Sequence, residues 1–218
     1  MLHHHVLCQS GPLTRLQRPA RSGTWQAQNR RCKKMPLSKR KFFEGNAYFI
    51  TTSVNKFIKI FKEKNYIDIL LENIDFYRTK YNFKLIAYVI MPDHLHWLIY
   101  PDQDDVKKIS NIMENFKKFT SRQLRKLMER EKRIGWLKLF KLKSPKKKNW
   151  EYQIWEDGYD DLGVYSAKVL RTKIDYIHNN PVRKGLVKRP EDYLYSSARN
   201  YILNDHSVIK VDTELLGF

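Results

Sequence analysis

Residues 83–100 read FKLIAYVIMPDHLHWLIY, and this stretch decides the fold. Two apolar runs, 83–91 and 95–100, flank Pro92 and Asp93, a pair of residues typical of turns. Short runs rich in β-branched and aromatic residues favour strands. The stretch therefore predicts two antiparallel strands joined by a tight turn.

The segments on either side of this hairpin extend it into a larger sheet. Residues 47–54 read as a β-branched and aromatic strand, and residues 150–155 alternate as a short one. Apolar residues recur at helical spacing in three further segments, which are 65–81, 105–131 and 165–179. The resulting order predicts an α+β fold. We expect a ferredoxin-like split βαβ antiparallel sheet with helices on one face and an added C-terminal helix that carries Tyr176.

We divide the chain into three parts. Residues 1–35 are Arg-rich, acid-free and without apolar periodicity. They predict a disordered extension. A transit peptide is one interpretation, and we favour the other, which is upstream sequence translated from a start codon placed too early. Residues 36–203 hold all the predicted elements and form the folded domain, and residues 204–218 are a C-terminal tail.

The charge of the chain indicates a polyanionic partner. Its 42 Lys and Arg exceed its 23 Asp and Glu, which gives a net charge of +19. Because such cations neutralise phosphates and release counterions, we expect nucleic acid as the partner.

No apolar run reaches the ~18 residues of a membrane span. Cys8 and Cys32 both lie in the extension, which excludes a disulfide framework in the folded domain. We expect a cytoplasmic, nucleoid-associated protein.

The positive charge is concentrated in two segments. Residues 1–40 hold nine Lys and Arg and no acid, and residues 107–149 hold sixteen against three Glu. The second segment includes most of the predicted helix 105–131, whose cations lie mostly opposite its apolar side. We expect that helix to follow a DNA backbone, with a solubilising face as the alternative. The residues expected to contact DNA are Lys117, Lys118, Arg122, Arg125, Lys173 and Arg183.

Two histidines stand at the start of the second strand of the hairpin. His94 and His96 are two residues apart, so on a strand they project from the same face. Neutral imidazole is a common ligand of divalent metals. A histidine pair with no ligand role is the alternative, but polar side chains at the start of an apolar strand are costly without a purpose. The pair predicts a metal site.

The predicted helix 165–179 carries a second candidate, Tyr176. The apolar stripe of this helix includes Ile174 and Ile177, and Tyr176 falls well off that stripe. One interpretation is a surface aromatic residue with no functional role. The other is a phenol presented to a substrate, and a phenol with a pKa near ~10 needs a metal or a Lys to stabilise its phenolate.

Asn180 lies four residues after Tyr176 and would share its helix face. Its amide oxygen is a candidate third metal ligand. However, Pro181 disfavours helical backbone at the residue before it, which places Asn180 at the helix end. A C-terminal cap is the alternative role for Asn180, and both roles remain open at this point.

Two segments together resemble one family. Residues 91–97, MPDHLHW, are similar to the histidine–hydrophobe–histidine (HUH) motif of the IS200-like single-tyrosine transposases. Residues 175–186, DYIHNNPVRKGL, resemble the tyrosine helix of their REP-associated branch. Three shorter segments are also similar to that branch, namely 48–51, 155–159 and 195–198. The resemblance extends over most of the predicted folded domain.

The resemblance implies a metal-dependent enzyme that cleaves and rejoins single-stranded, hairpin-bearing DNA of the REP type. Tyr176 would attack the phosphorus and form a 5′-phosphotyrosine link, while His94, His96 and Asn180 would bind Mg²⁺ or Mn²⁺. The broader group often has Gln where this chain has Asn180. The REP-associated branch also implies a monomer rather than a homodimer. A non-catalytic DNA-binding protein of the same fold and a metal-dependent hydrolase that uses water are the competing hypotheses.

Overall fold

The computed structural model describes residues 47–101, 107–142 and 151–213, so the predicted extension 1–35 lies outside the described residues. In chain order the elements are β1 (Ala47–Ser53), a 3-10 turn (Asn55–Phe57), α1 (Lys64–Tyr81), β2 (Phe83–Met91), β3 (His94–Pro101), α2 (Lys107–Arg130), α3 (Ile134–Phe140), β4 (Asp160–Val164), α4 (Ala167–Arg183), a second 3-10 turn (Pro190–Asp192) and α5 (Ala198–Ile202). None of the helices in these ranges has the length and apolarity needed to cross a membrane.

The four strands form one antiparallel sheet in the order β2-β3-β1-β4. Since β3 is antiparallel to both β1 and β2, those two strands run parallel to each other with β3 between them, which is the split βαβ arrangement. The predicted hairpin is present, and Met91 pairs with His94 at its turn. The α+β fold class predicted from the sequence is confirmed.

The two faces of the sheet carry different layers, because alternate residues of a strand point to opposite sides. On one face Leu95 and Trp97 are fully buried in the main core with side chains of α1 and α2. On the other face Leu98 packs with Ile174 and Ile177 of α4 in a smaller core. Helix α4 therefore covers the face to which His94 and His96 also point.

The fourth strand lies later in the chain than the sequence predicts. The alternating segment 150–155 is the predicted strand, but its described residues form only isolated bridges, such as that of Val54 with Trp155. Trp155 is buried, and its Nε1 donates to Thr120 Oγ1 at 2.9 Å. The alternation there reflects aromatic side chains that enter the core. The true strand, β4, begins with two aspartates and is five residues long, so its sequence lacks a strand pattern.

Helix α4 continues beyond its predicted end. Pro181 lies inside the helix and Asn180 is an interior residue, so the predicted helix end at Asn180 is wrong. The helix ends at Arg183 and is capped by Lys184. The next residue, Gly185, has a φ of 68°, which lets the Leu186 N–H donate to the Pro181 carbonyl at 2.9 Å. This Schellman ending suits glycine because a Cβ disfavours the left-handed conformation. Pro181 is buried, so its packing can compensate for the hydrogen bond that its missing N–H removes.

The outer edge of β2 is covered by chain that follows α4. The Ser197 N–H donates to the Tyr88 carbonyl at 2.9 Å, and the Asp212 N–H donates to the Leu85 carbonyl at 2.8 Å. Val211 is buried in the main core. The described part of the predicted tail therefore contributes to the core, and the domain boundary at residue 203 stays a prediction.

Candidate active site

The histidine pair lies on the sheet face that α4 covers. Strand β3 projects His94 and His96 to that side, with their ring centroids 4.7 Å apart. Cross-strand pairing places Thr51 of β1 and Val89 of β2 beside His96. His96 is buried and the His94 side chain is 12% exposed, so His94 is the more accessible of the two.

Each imidazole is held through its Nδ1 atom. His94 Nδ1 lies 2.5 Å from Asp93 Oδ1, and His96 Nδ1 lies 2.8 Å from Thr51 Oγ1. Contacts of this kind orient a ring and leave its Nε2 for a metal. His96 Nε2 is buried and has no hydrogen-bond partner among the described residues. A buried, unpaired nitrogen is costly unless a ligand meets it, so the pair fits a divalent cation.

The charge states around the pair also suit a metal. Burial holds the pKa of His96 well below its usual value, and the nearby His94, Lys173 and Lys184 add to the shift. His96 is therefore neutral, which is the form of imidazole that binds metals. Although burial favours a neutral carboxyl, the contact with His94 keeps the pKa of Asp93 below its usual value. Asp93 thus stays negative beside His94.

Helix α4 brings Tyr176 to the histidine pair. The ring centroid of Tyr176 lies 5.3 Å from that of His96 and 5.7 Å from that of Phe49, both edge-on. Burial raises the pKa of the Tyr176 phenol, and the positive charge of Arg183 and a hydrogen bond with Asn180 oppose that rise. The predicted nucleophile and the predicted histidine ligands are therefore neighbours.

Asn180 belongs to the same site. It is 5% exposed, and its Oδ1 is buried with no hydrogen-bond partner among the described residues. The cap of α4 is Lys184, so a capping role for Asn180 is excluded. Within the described ranges no three His, Cys, Asp or Glu side chains come together as a metal site. The predicted ligand set instead combines two imidazoles with an amide, and the unpaired Asn180 Oδ1 fits that set.

Two of the predicted DNA-binding residues flank Tyr176. Lys173 Nζ lies 4.5 Å from the Phe49 ring centroid and 5.8 Å from the Tyr176 ring centroid. The guanidinium of Arg183 lies 5.4 Å from the Tyr176 ring centroid. Lys184, which the sequence analysis does not single out, adds a positive charge that acts on His96. Together these cations give the site the positive charge that a phosphate needs.

The other four predicted DNA-binding residues lie on α2, which packs on the opposite face of the sheet from the histidine pair. Lys117 Nζ donates to two backbone carbonyls, including that of Glu156 at 2.6 Å. Arg125 forms an ion pair within α2, while Lys118 and Arg122 are exposed. The structure does not bring these four residues to Tyr176.

Phe49 and Thr51 also belong to the site, although the sequence places them only in the family-similar segment 48–51 and gives neither a role. They lie two positions apart on β1 and therefore share the face of the histidines. Phe49 stacks on His96 with ring centroids 5.5 Å apart, and Thr51 pairs with His96 across the strands. The signal that would identify them is the register of β1 against β3, which a single sequence leaves open.

This arrangement presents a strand-borne histidine pair to a helix-borne tyrosine. A family model described as "Transposase IS200 like" matches residues 47–180, more than half of the chain. The chain therefore belongs to the IS200-like transposase family, whose members are enzymes that act on DNA.

Two relatives agree with this membership. A protein of Haemophilus influenzae whose name assigns it to the REP-associated tyrosine transposases is 26% identical over 169 residues, which are 73% of this chain and 83% of that protein. The solved structure of a REP-associated tyrosine transposase bound to a REP hairpin shares the fold, with a TM-score of 0.54 at 19% identity, over 80% of this chain and 91% of the other. The resemblance inferred from the two motifs is confirmed.

Proposed function

We propose that the chain cleaves and rejoins single-stranded DNA that carries REP-like hairpins, through a covalent 5′-phosphotyrosine intermediate. The observation that carries the proposal is the contact between Tyr176 and His96, whose ring centroids lie 5.3 Å apart. Binding alone requires neither a half-buried phenol nor, beside it, a buried imidazole whose Nε2 has no partner among the described residues. The choice of hairpin DNA is supported by the two relatives, one of which is bound to a REP hairpin.

The phenol oxygen of Tyr176 is the nucleophile in this reaction. It attacks the phosphorus, a bond forms between phosphorus and Tyr176, and the bond to the 3′ oxygen breaks. The products are a 5′-phosphotyrosine and a free 3′ hydroxyl. In rejoining, a 3′ hydroxyl attacks the phosphotyrosine and releases the phenol. Because one phosphate ester replaces another at each step, no external energy source is needed.

Burial raises the pKa of the Tyr176 phenol, and two neighbours on α4 oppose that rise. They are the guanidinium of Arg183 and the hydrogen bond with Asn180. Arg183 lies more than one helical turn after Tyr176, and Asn180 lies one turn after it. The C-terminal half of α4 therefore opposes the effect of burial and favours the phenolate that the reaction needs.

Mg²⁺ or Mn²⁺ is the cofactor in this proposal. His94 and His96 would hold the ion through Nε2, and Asn180 would hold it through Oδ1. When bound, the ion polarises the scissile phosphate and offsets the charge that develops on it. The support for this assignment is that His96 Nε2 and Asn180 Oδ1 are buried and unpaired among the described residues, while each ring is fixed through Nδ1.

The DNA contacts divide between two surfaces. Lys173 and Arg183 flank Tyr176 and would hold the reacting phosphate. Lys118 and Arg122 are exposed on the far side of the sheet and would bind DNA outside the cleavage site.

We propose a monomer as the working unit, because His96 and Tyr176 meet within a single chain. Such a substrate would place the protein at the nucleoid.

A labelled single-stranded hairpin oligonucleotide tests the proposal. After incubation with Mn²⁺, a denaturing protein gel should show a covalent adduct that carries the label. Tyr176→Phe should remove the adduct but leave hairpin binding intact. Tyr165→Phe is the matched control, because Tyr165 is an exposed tyrosine outside the site, and it should form the adduct at the wild-type rate.

Each other result identifies a different function. Hairpin binding with no adduct on any suitable substrate would indicate a non-catalytic DNA-binding protein. Cleavage that survives Tyr176→Phe would indicate a hydrolase that uses water. An adduct that forms at full rate in the presence of a strong chelator would contradict the assignment of the metal.

A further inference from the structure

The ammonium of Lys173 lies over an aromatic ring, beside Tyr176. It lies 4.5 Å from the centroid of the Phe49 ring, within the range of a cation–π contact, and 5.8 Å from that of Tyr176. Lys173 is half-buried. Among the residues that the structure describes, no carboxylate pairs with it. The aromatic ring of Phe49 therefore holds this cation beside the nucleophile without neutralising it.

The proposed cleavage leaves a 3′ oxygen that must take up a proton, because an alkoxide is a poor leaving group. Arg183 cannot supply that proton, since a guanidinium is not deprotonated in proteins. His94 and His96 are fixed through Nδ1 and directed by Nε2 toward a metal. Lys184 is exposed beyond the end of α4. Lys173 is the remaining proton donor beside Tyr176 within the described part of the chain.

We propose that Lys173 is the catalytic acid that protonates the departing 3′ oxygen, an inference that rests on the proposed function. As the phenolate oxygen of Tyr176 bonds to phosphorus and the bond to the 3′ oxygen breaks, one proton moves from the Lys173 ammonium to that oxygen. The products are the phosphotyrosine, a 3′ hydroxyl and a neutral amine. In rejoining, the amine takes the proton back from the attacking 3′ hydroxyl.

The surroundings of Lys173 suit both directions of this transfer. Partial burial lowers the pKa of its ammonium from the usual value, which makes the proton easier to give and the amine easier to maintain. Lys173 lies one turn before Tyr176 on α4, whereas Asn180 lies one turn after it. The acid and the groups that activate the phenol therefore approach the nucleophile from opposite ends of the helix.

Phe49 acts as a positioning residue for Lys173. Its ring contacts the Lys173 ammonium, and it also stacks on His96 at 5.5 Å. A leucine would keep the apolar bulk but offer no ring face to the cation. Phe49→Leu should therefore displace the ammonium and reproduce part of the defect of a Lys173 variant.

A substrate with sulfur in place of the departing 3′ oxygen tests the proposal. A thiolate leaves without protonation, because the pKa of a thiol lies far below that of an alcohol. Lys173→Ala should slow adduct formation on the ordinary hairpin by about 100-fold or more. On the 3′-bridging phosphorothiolate hairpin the defect of the same variant should shrink to that of Arg183→Ala. The departing sulfur needs no acid, so only the loss of a positive charge beside the phosphate remains. Phe49→Leu should show a smaller defect with the same recovery.

Two control variants separate acid catalysis from other roles of positive charge. Arg183→Ala removes a cation that cannot donate a proton, so it should slow the reaction equally on both substrates. Lys168→Ala removes an exposed cation of α4 that lies outside the site, and it should match wild type on both. Circular dichroism melting of each variant checks that the fold is retained.

The outcomes distinguish this inference from the proposed function. A Lys173→Ala defect of equal size on both substrates, or no defect on the ordinary hairpin, would overturn the role of Lys173 alone. If the wild-type chain forms no adduct on either hairpin, the proposed function is overturned and the acid has no reaction to serve.

Discussion

Thr51 Oγ1 lies 2.8 Å from Nδ1 of His96, a contact that crosses from β1 to β3. It orients a ring whose Nε2 is buried and unpaired among the described residues. Thr51→Val keeps the shape of the side chain but removes the hydroxyl. We expect it to weaken Mn²⁺ binding by about 10- to 100-fold, as loss of such an orienting contact does in other metal sites. Titration calorimetry with Mn²⁺ measures the change.

Thr52→Val is the matched control for that variant. Thr52 points to the opposite face of β1, and its buried Oγ1 has no partner among the described residues. Removing a buried hydroxyl that makes no hydrogen bond should cost nothing. Mn²⁺ affinity should stay at the wild-type value, and the melting temperature should not fall. An equal loss of affinity in both variants would contradict the role of Thr51.

The left-handed Gly185 should be sensitive to substitution. No atom lies within 4 Å of the place where a Cβ would be added, so Gly185→Ala meets no clash and pays only for its φ of 68°. We expect a destabilisation of about 1–2 kcal/mol, or a melting temperature lower by roughly 2–8 °C for a domain of this size. Differential scanning calorimetry measures it.

Gly135→Ala provides the comparison for Gly185→Ala. Gly135 lies in α3, also has open space around the position of an added Cβ, and has no positive φ. Because alanine is favoured over glycine in a helix, we expect this variant to be more stable by about 0.5–1 kcal/mol. A similar destabilisation of both variants would show that backbone strain at Gly185 is not the cause.

His178 should make the protein less stable in acid. Burial lowers the pKa of His178 to about 4, and its Nε2 lies 2.9 Å from Ser197 Oγ. An unfolded histidine has a pKa of about 6.5, so between these two values the unfolded chain binds a proton that the folded chain does not. The contribution of His178 is full above about pH 6.5 and falls by roughly 3 kcal/mol as the pH approaches 4.

Urea unfolding at a series of pH values, compared with His178→Gln, isolates this effect. The glutamine amide can still reach Ser197 but does not titrate, so the variant should lose less stability between neutral and acid pH. His96 also titrates with a lowered pKa, which is why the difference between the two proteins is the quantity to measure. Identical pH dependence in both would rule out His178 as the source.

The exposed cations of α2 should control DNA affinity but not catalysis. Lys118 and Arg122 lie across the sheet from Tyr176. Replacing both with glutamine should reduce the slope of log Kd against log salt by about 1.4–1.8, for two lost phosphate contacts. The rate of adduct formation at saturating hairpin should not change. Binding measured across a salt series gives the slope.

Lys117→Gln is the control for the α2 variants. The ammonium of Lys117 donates to backbone carbonyls, including that of Glu156, so its loss should lower the melting temperature and leave the salt slope nearly unchanged. An unaltered slope in the Lys118 and Arg122 double variant would remove α2 from the DNA-binding surface.

The histidine pair could be predicted from the sequence because both residues lie on one strand, where the two-residue repeat fixes their common face. The closeness of Tyr176 to His96 could not be derived in that way, since it depends on how Ile174 and Ile177 pack α4 against the sheet. The contact of Thr51 with His96 depends on the register between β1 and β3, which local sequence does not determine either. Only the family resemblance predicts that Tyr176 and the histidine pair belong to one site.

Two local predictions are wrong for local reasons. The alternation of aromatic residues before Trp155 predicts a strand that is not there. The charged residues at the start of β4, from Asp160, give no strand pattern although a strand is present. Pro181 imitates a helix end, but a buried proline near the last turn costs one hydrogen bond that packing offsets. The correct stop signal was present in the sequence as Gly185, four residues further on.

The covering of β2 by Ser197 and Asp212 cannot form until late in synthesis. β2 leaves the ribosome long before either residue, so the nascent chain carries one row of unpaired backbone groups until residue 212 has emerged. An open edge of this kind can pair with a neighbouring chain. The nascent chain is therefore expected to associate with other chains more readily than the finished protein does.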